Sequence, residues 1–327
     1  MSEFEIIDSQ INYGEDVFGP NSDLETYLYH APFRGITKAI LIPTPTHTLQ
    51  LEDGTKEKSC VWFIENENLV FKRIIVEGEK EKQEINPLNP YQRMNLYSLQ
   101  NVKHYNEIQN KIKFYFAPKI HPILDNPDTL IEFLQEPSTI AIKINGLATH
   151  TTPQNIPEWL IELSKEYDKP FIIHTDYLDS DANWVNKEIS HLIRSNSPYM
   201  WAQWAKKKGV KACLAHGLRL DPLAADVVNS SNNLIVGLGP DKLLENEQER
   251  LVIKNQNYLE TLFNLVDENK IIFSTDYRWN VFDRGKWDDL DWETHERIIT
   301  YANKRGKSKG FLSKIFYENA QEFFGIE

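Results

Sequence analysis

Phe171-Ile172-Ile173-His174, Cys213-Leu214-Ala215-His216 and Phe273-Ser274-Thr275-Asp276 decide how this chain folds. Each is an apolar, strand-like run ending on a residue that can bind a metal ion or move a proton. The two histidines stand 42 residues apart, and Asp276 follows the second by 60. In a barrel of parallel strands the strand ends converge on one face, so residues this distant in the chain become neighbours. Three such endings in order are the footprint of an α/β barrel.

Working outward, eight short apolar runs read as strands: residues 4–8, 39–43, 112–118, 139–144, 171–174, 212–216, 234–237 and 271–275. They are continuous rather than alternating, as parallel strands buried on both faces require. Helical spacing fills the gaps. Residues 156–165 open with an early proline, and residues 255–268 carry Tyr258, Leu259, Leu262, Phe263 and Val266 as one stripe. The expectation is a single domain over residues 1–327, a (β/α)8 barrel of the TIM type. Residues 46–103, after the second strand, are too long for a plain connection and contain two β-rich runs, 59–64 and 69–76. They read as a β-hairpin insertion beside the barrel mouth. A second long connection, 179–208, holds Trp184, Tyr199, Trp201 and Trp204, which read as packing, with a lid as the alternative.

Bulk composition narrows the partners. With 36 Lys and Arg against 48 Asp and Glu, the formal charge of −12 argues against a nucleic-acid surface. A small anionic molecule in a locally basic pocket remains compatible. The two cysteines, Cys60 and Cys213, form no framework, and Cys213 reads as a buried thiol. Neither a signal peptide nor a membrane-crossing stretch is legible, so the expected setting is cytoplasmic and the expected partner a small-molecule substrate, with neither nucleic acid nor membrane.

Histidines ending the fifth and sixth strands can aim ring nitrogens at one point over the mouth, as a divalent ion requires. Asp276, ending the eighth, can exchange a proton with a water there, whose pKa a metal lowers towards ~7. Lys143 interrupts the apolar fourth strand, where an ammonium is costly unless paired or chemically altered. His47, His121 and His150 follow the second, third and fourth strands. Each reads as a loop residue, with substrate contact open for one of them. Arg219 and Arg278 are candidates for a substrate carboxylate or phosphate, with surface salt bridging as the alternative.

Together these segments resemble the amidohydrolase superfamily of metal-dependent hydrolases. Ile6-Ile7-Asp8-Ser9-Gln10-Ile11-Asn12 is similar to its first-strand segment, normally Asp-x-His-x-His. Residues 37–43 resemble its second strand, 273–277 its eighth, and 316–325 its closing helix. The resemblance implies a metal site from Lys143, His174 and His216. It also implies a first site whose two histidine ligands are here Gln10 and Asn12. One divalent ion rather than two is therefore expected, zinc first and manganese second, since amides bind zinc poorly beside imidazole. The expected activity is hydrolysis of an amide, ester or related bond in a small polar substrate. Asp276 is the general acid/base, and Gln10, Asn12, His121, Arg219 and Arg278 orient the substrate. Two alternatives stay open: a metal-independent lactonase- or decarboxylase-like enzyme, and a non-catalytic binding protein. Barrels of this class often pair, so a homodimer is compatible.

Overall fold

The computed structural model describes residues 4–16, 21–22, 24–44, 46–51, 53–65, 68–175, 187–239, 258–277 and 287–327. Its strands, in chain order, are β1 (Ile6–Asp16), β2 (Asn21–Ser22), β3 (Ile36–Pro43), β4 (His47–Gln50), β5 (Lys56–Glu65), β6 (Asn68–Glu77), β7 (Lys80–Ile85), β8 (Lys113–Phe116), β9 (Ile142–Asn145), β10 (Phe171–His174), β11 (Ala212–Leu214), β12 (Leu234–Gly237) and β13 (Ile271–Ile272). Parallel ladders join β1, β3 and β8 on one side and β9 through β13 on the other. Isolated parallel bridges close the two seams: Phe116 with Thr139 and Lys119 with Lys143 at one, Ile11 with Tyr277 at the other. The result is the expected (β/α)8 barrel.

Alternation along each strand sorts its apolar side chains into two layers. Ile7, Ile40, Ile42, Tyr115, Ala117, Ala141, Ile172, Cys213, Ile235 and Ile272 form one cluster, closed by Ala320, Phe324 and Ile326 of the C-terminal segment. Their strand neighbours Ala39, Leu41, Phe114, Phe116, Ile142, Ile144, Phe171, Ile173, Leu214, Val236 and Phe273 belong to the larger cluster that includes Leu160, Trp201 and Trp204. The first set fills the barrel's lower interior and the second glues strands to helices. Trp201 and Trp204 lie 5.4 Å apart in helix Pro198–Lys208 and are core packing. Trp184 lies outside the described residues.

Strand limits differ from expectation where other forces act. β1 runs on to Asp16 because its far end pairs antiparallel with β2 and β4. β13 keeps its ladder only to Ile272; beyond it, the Phe273 N–H bonds the Ile315 carbonyl and the chain turns towards β1. β11 stops at Leu214, before a left-handed turn. Helix Glu158–Glu166 begins after Pro157, which is its N-cap.

The insertion contains the expected hairpin, β5 against β6, but is wider. β4 adds to one side and β7 to the other, making a four-stranded antiparallel meander continuous with β1. No helix among the described residues is long and apolar enough to cross a membrane.

Candidate active site at the barrel mouth

Above the apolar interior the same inward positions turn polar. Continuing two residues from Ala117, Ala141 and Ile172 brings Lys119, Lys143 and His174 inward. β1 and β11 would miss by this count, and each carries a device that corrects it. In β1, Asp8 pairs with Ala39 but Ile11 with Leu41, a bulge that moves Ile11 into the outer layer and brings Gln10 and Asn12 inward. After β11, the inward Cys213 would place His216 outward. His216, Gly217, Leu218, Arg219 and Leu220 all have positive φ, from 49° to 61°, and this left-handed turn brings His216 back against His174. Four non-glycine residues in that conformation cost about 4–8 kcal/mol together. Burial of Leu218 and Leu220 offsets part of it. Gly217 packs against the Tyr258 hydroxyl with no room for a Cβ.

His216 Nε2 and His174 Nδ1 are 2.8 Å apart, with the rings edge to face. On its other nitrogen His216 faces Asp276 Oδ2 at 3.8 Å. Burial, then the charges of His174, Arg219 and Lys143, holds the His216 pKa well below the ordinary histidine value. Asp276 itself sits at φ 51°, its N–H bonded to the Gln10 carbonyl. Its Oδ1 accepts from Gln10 Nε2 and from Asn12 Nδ2, the latter at 3.0 Å. Lys143 Nζ donates to Gln10 Oε1 at 3.0 Å. This order of bonds fixes the amide: an ammonium only donates, so the Gln10 oxygen faces it and the NH2 faces the carboxylate.

Beneath Asp276 lies a residue that the sequence reading did not single out. Asp8, fully buried, accepts from the Thr275 hydroxyl at 2.6 Å, the Thr275 N–H at 2.9 Å and the Tyr27 hydroxyl at 2.8 Å. Burial pushes its pKa up to about 6, against the lowering effect of those bonds. It ties the first strand to the eighth immediately before Asp276. Polar residues at 8, 10 and 12 of an apolar strand were the available signal. Lys119 was also missed, although Tyr115 and Ala117 set the alternation that turns it inward.

The remaining candidates spread around the rim. Arg219 is half-buried, its Nε 3.4 Å from the Thr175 carbonyl. His121 stands with the insertion, edge-on to Phe71, and its Nδ1 accepts from the Ile123 and Leu124 N–H groups. Burial, then His150, drops its pKa to about 3. Arg278 lies outside the described residues. Cys213 is a free, buried thiol whose pKa burial raises to about 12.

The donor set fits one divalent ion in part. A zinc ion shared by two imidazole nitrogens at about 2.0–2.1 Å in tetrahedral geometry needs them about 3.3 Å apart. His174 and His216 therefore open the place by a small separation of their rings. Lys143 can add a third ligand only after losing a proton or being carboxylated. Gln10 and Asn12 turn N–H groups, not lone pairs, towards Asp276. Among the described residues no cluster of three or more His, Cys, Asp or Glu is arranged to hold an ion.

No family model matches this sequence, and no curated protein does. Solved structures do. A candidate 2-pyrone-4,6-dicarboxylic acid hydrolase from Pseudomonas putida superposes with a TM-score of 0.56 at 13% identity, covering 100% of this chain and 99% of its own. Dihydroorotase from Campylobacter jejuni gives 0.57 at 12% identity, over 99% of this chain and 84% of its own. The chain thus has the fold of the amidohydrolase-superfamily barrels.

Proposed function

We propose that this chain is a hydrolase of a small polar carbonyl compound in which Asp276 moves the proton. The carrying observation is the two-sided setting of its carboxylate. Gln10 and Asn12 hold Oδ1, while Oδ2 faces His216 at 3.8 Å, beyond hydrogen-bond reach. Oδ2 therefore takes a proton from a water attacking the scissile carbonyl and returns it to the leaving group. Arg219 and, at the rim, His121 orient the substrate, and Arg278, outside the described residues, is assigned the same role from the sequence alone. Both superposed proteins carry names of hydrolases, which supports the reaction class.

His174 and His216, with Lys143 as third side chain, are the residues that would hold one divalent ion, zinc ahead of manganese. Such an ion supplies polarisation of the carbonyl and a water with pKa near ~7. A second reading, hydrolysis without metal, is favoured by the Lys143–Gln10 bond, which engages the lysine as an ammonium. The test is turnover of a panel of lactones, cyclic amides and esters by the protein and by Asp276→Asn. Loss of at least ~100-fold is expected for the variant; unchanged turnover overturns the role of Asp276. Elemental analysis of the same preparations decides between the two readings.

A further inference from the structure

At the other end of the barrel, away from the mouth, the strand starts border a cleft. Lys211 precedes β11, Leu234 opens β12, and Lys270 ends the short turn Glu268–Lys270 that leads into β13. The closing helix Asn319–Phe324 packs against these starts. Between them lies a cleft of about 240 Å³, lined among others by Lys211, Lys270, Asn319 and Glu322, with Leu234 and Phe323 as apolar wall. His174 and Asp276 stand beyond the opposite strand ends, so the cleft is separate from the candidate active site.

The polar groups of this cleft carry both signs. Lys270 Nζ donates to the Ser231 carbonyl at 2.8 Å, which uses one of its N–H groups and leaves its charge unneutralised. Glu322 forms no ion pair among the described residues, so two opposite charges border one cleft without meeting. Lys211 bonds Asp168 at 2.8 Å across an exposed surface, a weak kind of pair that leaves further N–H groups over. Asn319 spends both amide hydrogens, on the Glu268 carbonyl at 2.7 Å and the Ile271 carbonyl at 2.8 Å, so its oxygen is the atom left to accept. Single charges on an open surface are ordinary. A cation and an anion held apart across one partly apolar cleft are complementary to a dipolar molecule.

We propose that this cleft binds a small α-amino acid with an apolar side chain. The ligand's carboxylate meets the Lys270 and Lys211 ammonium groups, its own ammonium meets Glu322 and the Asn319 oxygen, and its side chain lies against Leu234 and Phe323. A simple anion would face the Glu322 carboxylate as a like charge, and a simple amine would face the two lysines. The volume of about 240 Å³ falls below the ~300–1,000 Å³ of pockets for drug-sized ligands, which suits a single amino acid rather than a peptide. The site lies outside the proposed hydrolytic machinery and does not depend on it.

Calorimetric titration of the full chain with L-leucine, glycine, 4-methylpentanoate and 3-methylbutylamine tests it. Glycine lacks the apolar side chain of leucine, 4-methylpentanoate its ammonium and 3-methylbutylamine its carboxylate. Leucine is expected to bind at least ~tenfold tighter than each of the other three. Glu322→Gln is expected to weaken leucine at least ~fivefold with an unchanged melting temperature, since Glu322 is exposed. Lys270→Gln is expected to weaken leucine to a similar degree, with circular dichroism reporting its fold. Asp276→Asn, at the other end of the barrel, is expected to bind leucine as the parent does. Absence of leucine binding, equal binding of leucine and 4-methylpentanoate, or a Glu322→Gln titration matching the parent's overturns the proposal. So does loss of leucine binding in Asp276→Asn, which would place the molecule at the mouth. Failure of the hydrolase reading alone would leave the leucine preference in place.

Discussion

Asp8→Asn is the perturbation whose size the structure fixes best. Asp8 is wholly buried, and its pKa rises from 3.8 in an unperturbed chain to about 6 in the fold. About two units correspond to about 3 kcal/mol. The sign follows from proton counting. Below about pH 4 both folded and unfolded states hold the proton, and the penalty is absent. Between about pH 4 and pH 6 the unfolded chain releases it first, so stability falls as pH rises. Above that window both states are ionised and the full penalty persists. Asparagine cannot titrate. It gives up one of the oxygens that receive Thr275 and Tyr27, a cost independent of pH. The stability of Asp8→Asn relative to the parent should therefore improve by about 2–3 kcal/mol between about pH 4 and pH 7.5. Urea unfolding of both proteins at the two values measures it, and the comparison cancels carboxylates such as Glu57 and Glu84, whose lowered pKa values act in the opposite direction. A gap that stays constant across the range, or that widens against the variant as pH rises, refutes the account of Asp8 as a desolvated carboxylate.

Other expectations are simpler to state. His174→Asn combined with His216→Asn should remove whatever zinc or manganese the purified protein carries, read by elemental analysis. Gln10→Leu removes the bond from Lys143 and one of the two donors to Asp276 Oδ1, and should cost about 1–3 kcal/mol by urea unfolding. Leu160→Ala, in the fully buried layer between barrel and helices, should cost about 2–5 kcal/mol with no change in ligand binding.

The barrel was legible because its strands are uniform. Phe171–His174 and Leu234–Gly237 read as strands from their apolar runs and are strands over those residues, buried throughout. Less legible were elements whose residues do not announce them. β7 is Lys80-Glu81-Lys82-Gln83-Glu84-Ile85, an exposed edge strand with no buried face to impose alternation. Its charges suit an edge that must resist pairing. The turn after β11 carries one glycine and four side chains that ordinarily avoid positive φ; only tertiary packing selects it. The gathering of His174, His216 and Asp276 could be anticipated from strand ends. Asp8 could not be weighed, because its significance lies in its burial and in the donors that the fold brings to it.

The contacts of Gln10 and Asn12 have a chemical logic of their own. An imidazole facing a metal offers a lone pair, and an aspartate beside it offers another, so both converge on the ion. An amide has both polarities. With its oxygen committed to Lys143, Gln10 presents N–H groups to Asp276, and Asn12 adds a second donor to the same oxygen. Two amides and an ammonium thus engage one another and the Asp276 Oδ1 on this side of the mouth. The carboxylate is an acceptor fixed in orientation, with one oxygen bound and the other turned towards His216. Restoring an ion on the strand-one side would require breaking those donors away from Asp276 and releasing Lys143 from Gln10. The His174–His216 side faces no such obstacle, since its two nitrogens already meet. On the proposed reading, an ion would be held by the fifth and sixth strands, with Lys143 of the fourth as the third side chain, and Asp276 of the eighth would move the proton.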